Sequence, residues 1–232
     1  MIHAGAIVDP GAKLGTGVSI GPWSVIGPDV ELGNDVEIAS HVIVKGPCRI
    51  GAGVKIYQFA SVGEDTPALA YAGEASTLDI GAGTIIREGV TIHRGMDRGG
   101  IGRTAVGCHC LLMAYVHVGH DCVVGDHVIM ANNASLAGHV EVGDYANFGG
   151  YVGVPQFRKI GAHTHIAAMS MVTKDVPAYM TVSGNPAFAV GMNTEGMKRR
   201  GYSSETIDLL KQAYRTVYRK GLRVAEAIDE LA

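Results

Sequence analysis

An apolar residue recurs at every sixth position of this chain. Ile2, Val8, Leu14, Ile20, Ile26, Leu32, Ile38, Val44, Ile50, Ile56 and Val62 fall in register without a break. After an interruption from Gly63 to Asp79 the period returns at Ile80, Ile86 and Ile92, breaks again, and then runs from Val106 through Leu112, Val118, Val124, Met130, Leu136, Val142, Phe148, Val154, Ile160 and Ile166 to Val172. An α-helix repeats its apolar face at about 3.6 residues and a half-buried strand at about 2, so a sustained period of six fits neither element alone. It fits a solenoid in which each hexad supplies a short flat strand and a turn. Three hexads make one triangular coil, and coils stacked at about 4.8 Å bond their backbones from one to the next. The residue after the aliphatic is usually Gly or another small residue, which is expected to tolerate the corner conformation.

Composition agrees with a chain of many tight turns: 33 of 232 residues are Gly, and only 18% are charged. A net charge of −3 argues against a nucleic-acid binder held by a general basic surface. The first residues lack the basic and apolar regions of a secretory signal, and no apolar run approaches the roughly 18 residues of a membrane span, so a cytoplasmic protein without stable membrane insertion is expected. The four cysteines, Cys48, Cys108, Cys110 and Cys122, read as reduced thiols. Cys108 and Cys110 stand too close for a usual zinc knuckle and have no matching second pair, so no metal is expected.

The two breaks, at about 63–79 and 93–105, must leave a solenoid as loops at its corners. The expected organisation is a β-helix over 1–178 followed by a connector and helical region over 179–232. Ser203, Ser204 and Glu205 supply a helix start before Ile207, Leu210, Ala213, Tyr214, Val217 and Tyr218 at helical spacing. Gly221 ends that helix, and Val224 to Leu231 forms a second. The pair is placed to cap the open end of the prism.

Of ten histidines, three cluster once the chain is coiled. His117 and His120 share a hexad boundary, and His139 follows His120 by one coil and one residue. An imidazole there has the right proton affinity for a general base, although a row of solvated turn histidines would give the same spacing.

Tyr115-Val116-His117-Val118-Gly119-His120-Asp121-Cys122 resembles the catalytic segment of the UDP-N-acetylglucosamine O-acyltransferase family. Similar matches occur at Ile56 to Glu64, at Ile92-His93-Arg94-Gly95, at Ala131 to Val140, at Gly184-Asn185-Pro186 and at Glu195 to Gly201, so the resemblance spans nearly the whole chain. It implies a left-handed parallel β-helix, a hand that periodicity does not provide, since crossovers between parallel strands are generally right-handed. The implied reaction is transfer of a 3-hydroxyacyl chain from acyl carrier protein to the sugar 3-hydroxyl of UDP-N-acetylglucosamine, the first step of lipid A biosynthesis. The resemblance makes His120 the general base, Asp121 its orienting partner and the Gly138 N–H the oxyanion donor. It places His117, His139 and Gln156 against substrate, and Asn193, Glu195 and Arg199 near the nucleotide. It makes Ala168 a ruler of acyl length. It further implies a homotrimer and no cofactor beyond the phosphopantetheine carried by the donor. Lys198, Arg199, Arg200, Arg215, Arg219 and Lys220 are candidates for a basic surface that receives the acidic carrier protein.

The chain departs from the family pattern in places. Ala68 and Ala70 stand where the family has an Asp and a Lys, and Pro155 where it has a His; the loop Met96-Asp97-Arg98-Gly99-Gly100 differs, and the sequence stops about a helix pair before the family's usual end. These changes admit an alternative, a noncatalytic or altered-acceptor relative that keeps the scaffold with a weakened sugar site. A zinc carbonic anhydrase on the same solenoid would require three histidines to converge from neighbouring subunits, and the whole-chain resemblance points elsewhere.

Overall fold

The computed structural model describes residues 1–231. Strands of two to four residues, with two longer ones at the C-terminal end, are laid down in rotation on three walls, forming a left-handed parallel β-helix. The first wall begins at Ile7–Val8 and the second at Lys13–Leu14, each with eight strands; the third begins at Ser19–Ile20 and has ten. Pairing is parallel and in register, with Ile86 over Ile56 and Leu112 over Ile86, so each sixth-residue aliphatic stands on the one below it. The backbone ladder runs from coil to coil, as in Gly51 N–H to the Ile80 carbonyl and Gly81 N–H to the Val106 carbonyl.

A second inward column, two residues before the first, was not anticipated from the period. Val30, Val36, Val42, Val54, Val90, Val116 and Val128 are completely buried there, each two positions ahead of the next hexad aliphatic. The backbone satisfies the hydroxyl that this column carries at Ser24, Thr84 and Thr104, as where Thr84 Oγ1 donates to the Gly107 carbonyl at 2.8 Å and accepts from Cys110 N–H at 3.0 Å, whereas the buried Thr164 Oγ1 has no partner among the described residues. Burying such a group without partners would cost about 1–3 kcal/mol.

The expected reason for the small residue after each aliphatic needs correction. Left-handed φ values fall instead on the hexad's turn position, occupied by bulky residues such as Trp23, His41, Phe59, Tyr115, His139 and Tyr145. That conformation costs roughly 1–2 kcal/mol per non-glycine residue, and contact across coils offsets it. His127 stacks on Tyr145 at 4.7 Å, Tyr145 on His163 at 4.9 Å and His163 on Tyr179 at 5.2 Å. The glycine after the aliphatic is small because the next coil passes over it: a Cβ on Gly81 would lie 2.4 Å from the Gly107 carbonyl carbon.

The loops are shorter than the breaks in the period. Strands Ser61–Glu64 and Thr77–Ile80 leave 65–76 outside the coils, and Thr91–His93 and Arg103–Val106 leave 94–102. At the other end, strand stacking continues past 178. Met180–Gly184 adds in parallel to the third wall, and Ala187–Met192 folds back on it antiparallel. Three helices follow: α1 (Thr194–Arg199), which the sequence pattern did not indicate, α2 (Ser204–Arg219) and α3 (Val224–Leu231). Asn193 caps α1 by accepting from Gly196 N–H at 3.0 Å, and Ser203 caps α2 by accepting from Thr206 N–H at 3.1 Å. No helix among the described residues is long and apolar enough to cross a membrane.

Leu111 and Leu112 are consecutive in one strand, but Leu112 is completely buried and Leu111 faces outward. Leu112→Ala is expected to lose about 2–5 kcal/mol of unfolding free energy and Leu111→Ala well under half of that, read by denaturant melts of the two variants. Equal losses would contradict the inward column.

Candidate active site

His120 and Asp121 sit at the corner between the first and second walls, just past the strand His117–Val118. Asp121 holds the left-handed turn position, with φ of 58°, and both residues are buried. His120 Nδ1 lies 2.7 Å from Asp121 Oδ2. Backbone N–H groups of Met96, Ile101 and Gly102 also donate to the carboxylate, Ile101 at 2.8 Å and Gly102 at 3.1 Å. The Asp121 N–H itself donates to the buried Thr104 hydroxyl at 2.8 Å. The carboxylate is therefore fixed from four directions, and an Nδ1–H donated to it leaves Nε2 as the ring's proton acceptor.

Gly138 lies one coil above His120. A Cβ there would stand 2.5 Å from His120 Nε2, so only glycine lets the ring occupy this place. The Gly138 N–H has no acceptor among the described residues. A free backbone donor beside a proton acceptor can stabilise an oxyanion while the acceptor takes a proton.

The next coil brings His139 edge-on to His120 at 4.8 Å, and Phe157 stacks on His139 at 4.4 Å. Gln156, exposed, is one coil beyond Gly138 at the same corner. His117 stands on the first wall with Nδ1 2.8 Å from Thr91 Oγ1 and the ring of His93 edge-on at 5.4 Å. Burial pushes the proton affinities of His117 and His139 down; the neighbouring His93 and His120 rings add to this for His117, while Asp121 opposes it for His139. His120, Asp121 and His139 are residue types that bind transition metals, and their ligand atoms lie within 4.8 Å of one another. The Asp121 oxygens, however, are already engaged by N–H donors, which suits a base and its orienting partner better than a ligand set. An open cavity of about 840 Å³ adjoins this corner, lined by Asp121, His139, Glu141, Phe157 and Lys159 among others.

Asn193, Glu195 and Arg199 gather elsewhere. With Ile129, Asn147 and His165 of the third wall they line a cavity of about 510 Å³. Asn193 is largely committed to structure: besides capping α1, its side-chain amide donates to the His163 carbonyl at 2.9 Å. Glu195 pairs with Lys198 at 3.0 Å. The Arg199 side chain is exposed and makes no hydrogen bond or ion pair among the described residues. Ala168, exposed, is at the corner between the third and first walls. A single chain thus carries the His120 corner and the Arg199 cavity on different sides of the prism.

The basic surface expected near α1 and α2 is narrower than its sequence. Arg200 donates to the carbonyls of Gly196 and Tyr145 and lies 5.0 Å over the Tyr145 ring, while Lys198 and Lys220 pair with Glu195 and Glu230. Arg199 and Arg215 are left without an ion pair among the described residues; Arg219 lies 5.9 Å over Tyr214. Ala68 and Ala70 lie on the loop 65–76, and Leu69 between them is fully exposed. Thr91 and Thr104 were not singled out from the sequence. Thr104 precedes Asp121 by 17 residues, about one coil, so coil arithmetic could have found it. The loop's backbone donors have no side-chain signature.

His163 and His165 are also pushed below the ordinary histidine value of 6.5, again chiefly by burial. The folded chain then holds fewer protons on these four rings than the unfolded chain does, so their contribution to stability is intact above about 6.5 and is lost as pH falls below it. The melting temperature is expected to drop between about pH 7 and pH 5.5, before carboxylates titrate, in a thermal melt series; a flat profile there would refute this.

The profile described as Udp N-acetylglucosamine O-acyltransferase, Domain 2, matches residues 175–232, and that of the bacterial transferase hexapeptide (six repeats) matches 11–46 and 103–138. The chain is 56% identical over its full length to 90% of acyl-(acyl-carrier-protein)--UDP-N-acetylglucosamine O-acyltransferase of Stutzerimonas stutzeri. It is 54% identical, over 99% of its length, to 89% of the protein of the same name from Saccharophagus degradans. Among solved structures, the UDP-N-acetylglucosamine O-acyltransferase of Moraxella catarrhalis superposes with a TM-score of 0.97 at 46% identity, covering 99% of this chain and 89% of that one. The Acinetobacter baumannii structure gives 0.96 at 47%, with the same coverages. With this identity along its whole length, a matching fold and the His120–Asp121 corner in place, the chain belongs to the UDP-N-acetylglucosamine O-acyltransferase family.

Proposed function

We propose that this protein transfers a 3-hydroxyacyl chain from acyl carrier protein to the 3-hydroxyl of UDP-N-acetylglucosamine, the opening step of lipid A biosynthesis. The observation that carries the reading is the buried His120–Asp121 pair, its carboxylate held by three backbone donors and its free ring nitrogen facing Gly138. In the proposed step, Nε2 of His120 takes the proton of the sugar 3-hydroxyl as its oxygen bonds to the thioester carbonyl carbon. The Gly138 N–H receives the developing oxyanion. Asp121 stabilises the imidazolium that forms, as a buried carboxylate does in other base-orienting pairs. Collapse breaks the carbon–sulfur bond, and His120 returns its proton to the departing phosphopantetheine thiolate. A thioester is activated enough for one base and one donor to suffice, so the step calls for neither a covalent nucleophile nor a metal or further cofactor.

His117 and His139 border this base and are assigned to substrate contact, with Gln156 at the edge. Arg199, unpaired and exposed, suits the nucleotide phosphates; Glu195 lines the same cavity, and Asn193 holds α1 in place there. Because Arg199 and His120 occupy different sides of one prism, a complete site is supplied by two copies, one contributing the base and its neighbour the nucleotide cavity. A closed three-fold ring repeats this heterologous contact without free ends, which supports a homotrimer. The same placement brings the corner with Ala168 against the acyl chain only across copies. Cytoplasmic residence follows from the two substrates. The pair at His120 is fully built, so nothing favours the noncatalytic alternative, and Ala68, Ala70 and Pro155 bear on acceptor affinity.

The test is an acyl-transfer assay with UDP-N-acetylglucosamine and a panel of 3-hydroxyacyl carrier proteins. His120→Ala is expected to lower kcat by roughly 10²- to 10⁴-fold, and Ala168→Gly to move the preference toward longer chains. No turnover by the unaltered protein with any donor would refute the reading for this acceptor.

A further inference from the structure

The two loops that leave the solenoid meet, and one buried arginine joins them. Arg94, at the start of the second loop, is only 8% exposed in its side chain. Its Nη1 donates to the Gly63 carbonyl at 2.5 Å, its Nη2 bonds to Asp65, and its backbone N–H donates to the Glu64 carbonyl at 2.9 Å. All three partners lie at the start of the first loop. Two further ties lie alongside: His93 Nδ1 is 2.7 Å from the Asp65 carbonyl oxygen, and the Arg98 N–H reaches Glu74 Oε1 at 3.4 Å. The far side of the second loop is the one that holds Asp121, through the N–H groups of Met96, Ile101 and Gly102. Gly100 packs so tightly there that a Cβ would lie 2.5 Å from Asp121 Oδ1.

Burying a guanidinium is expensive unless it is matched by good partners, and here one nitrogen, Nε, is buried without any. Holding the loops' surface ends together would not require a buried cation. What the arrangement secures is the direction of the loop's amides, which decides where the Asp121 carboxylate points and hence which nitrogen of His120 carries its proton.

We propose that the two loops form one clamp and that Arg94 is a positioning residue, setting the tautomer of His120 through the backbone amides that grip Asp121. Arg94 touches neither the reacting atoms nor His120. Its effect passes from the guanidinium to the path of 94–102, from that path to the carboxylate, and from the carboxylate to the ring. The inference deepens the acyltransferase reading and rests on it for its kinetic consequence, whereas its structural consequence stands without turnover.

Arg94→Lys keeps the charge and loses the forked contact to Gly63 and Asp65. Asp65→Asn alters an exposed partner, 61% accessible, and serves as the variant that keeps folding intact. Gly100→Ala presses directly on the carboxylate. Two readouts are taken on the full-length protein. Nitrogen chemical shifts of histidine-labelled protein are expected to show the proton of neutral His120 on Nδ1 in the unaltered chain and a mixture of tautomers in Arg94→Lys and Gly100→Ala, with a smaller change in Asp65→Asn. In the acyl-transfer assay, kcat is expected to fall about 10- to 100-fold in the first two variants with KM for the nucleotide sugar changed far less, the pattern of a misplaced catalytic group. An unchanged His120 tautomer in Arg94→Lys would overturn the proposal, whatever Gly100→Ala shows. So would a rise in KM alone, which would make the clamp an acceptor-binding loop. Failure of the acyltransferase reading looks different: no turnover by the unaltered protein, with the tautomer change still present.

Discussion

The inter-coil backbone ladder is the constraint from which the rest follows. Each short strand has its hydrogen-bonding partners one coil above and one below, so every coil must present the same outline to its neighbours at the spacing of paired strands, about 4.8 Å. Two inward side chains per wall in each coil fill the prism, and their columns are mostly aliphatic. Glycine is forced wherever the chain turns tightly under the next coil, as at Gly81 beneath Gly107. The same spacing is close to that of stacked rings, which is why turn positions in an otherwise disfavoured backbone conformation can be aromatic. Tyr145 between His127 and His163 has a ring partner on each side at 4.7 and 4.9 Å.

A scaffold this repetitive presents much the same outline at every coil, and what sets one corner apart is a departure from the repeat. The His120 corner follows the stacking rule in its own residues: Asp121, His139 and Phe157 are successive turn positions, each left-handed. It differs from the other corners because a neighbouring coil releases a loop there. Without 94–102, Asp121 would be one more solvated turn carboxylate. With it, the carboxylate is buried, its acceptor sites are filled, and the adjacent imidazole is oriented. The second insertion in the period thus shapes the His120–Asp121 corner, although its residue types alone would not suggest it.

The sequence made the solenoid legible because a period of six has few physical explanations, and the helical tail because Ser203 and the spacing of its apolar residues are local signals. Other features were hidden for identifiable reasons. The valine column two residues before each aliphatic is interrupted by Ser24, Thr84, Thr104 and Thr164, all buried, so it does not look apolar in the sequence. The helix α1 is six residues long, too short to display a periodic face. The cluster of basic residues at 198–200 looked uniform, yet Arg200 turns inward onto Tyr145 and Lys198 folds onto Glu195, leaving Arg199 as the residue with a free guanidinium. Local sequence cannot separate three adjacent cations that tertiary contacts treat differently.

The same limitation shows why resemblance was informative about the His120 corner and less so about the acceptor end. Motif residues such as His120, Asp121 and Gly138 act through side-chain identity or its absence, and identity is what a motif records. Positioning by backbone amides leaves no such trace: Met96, Ile101 and Gly102 hold Asp121 with groups that every residue except proline possesses. Substitutions in that loop therefore alter its sequence while the function of its amides is retained, provided Gly100 stays small and Arg94 keeps the loop anchored to the strand that ends at Glu64. A loop that departs from the family's customary residues is, on this view, compatible with an intact His120–Asp121 pair.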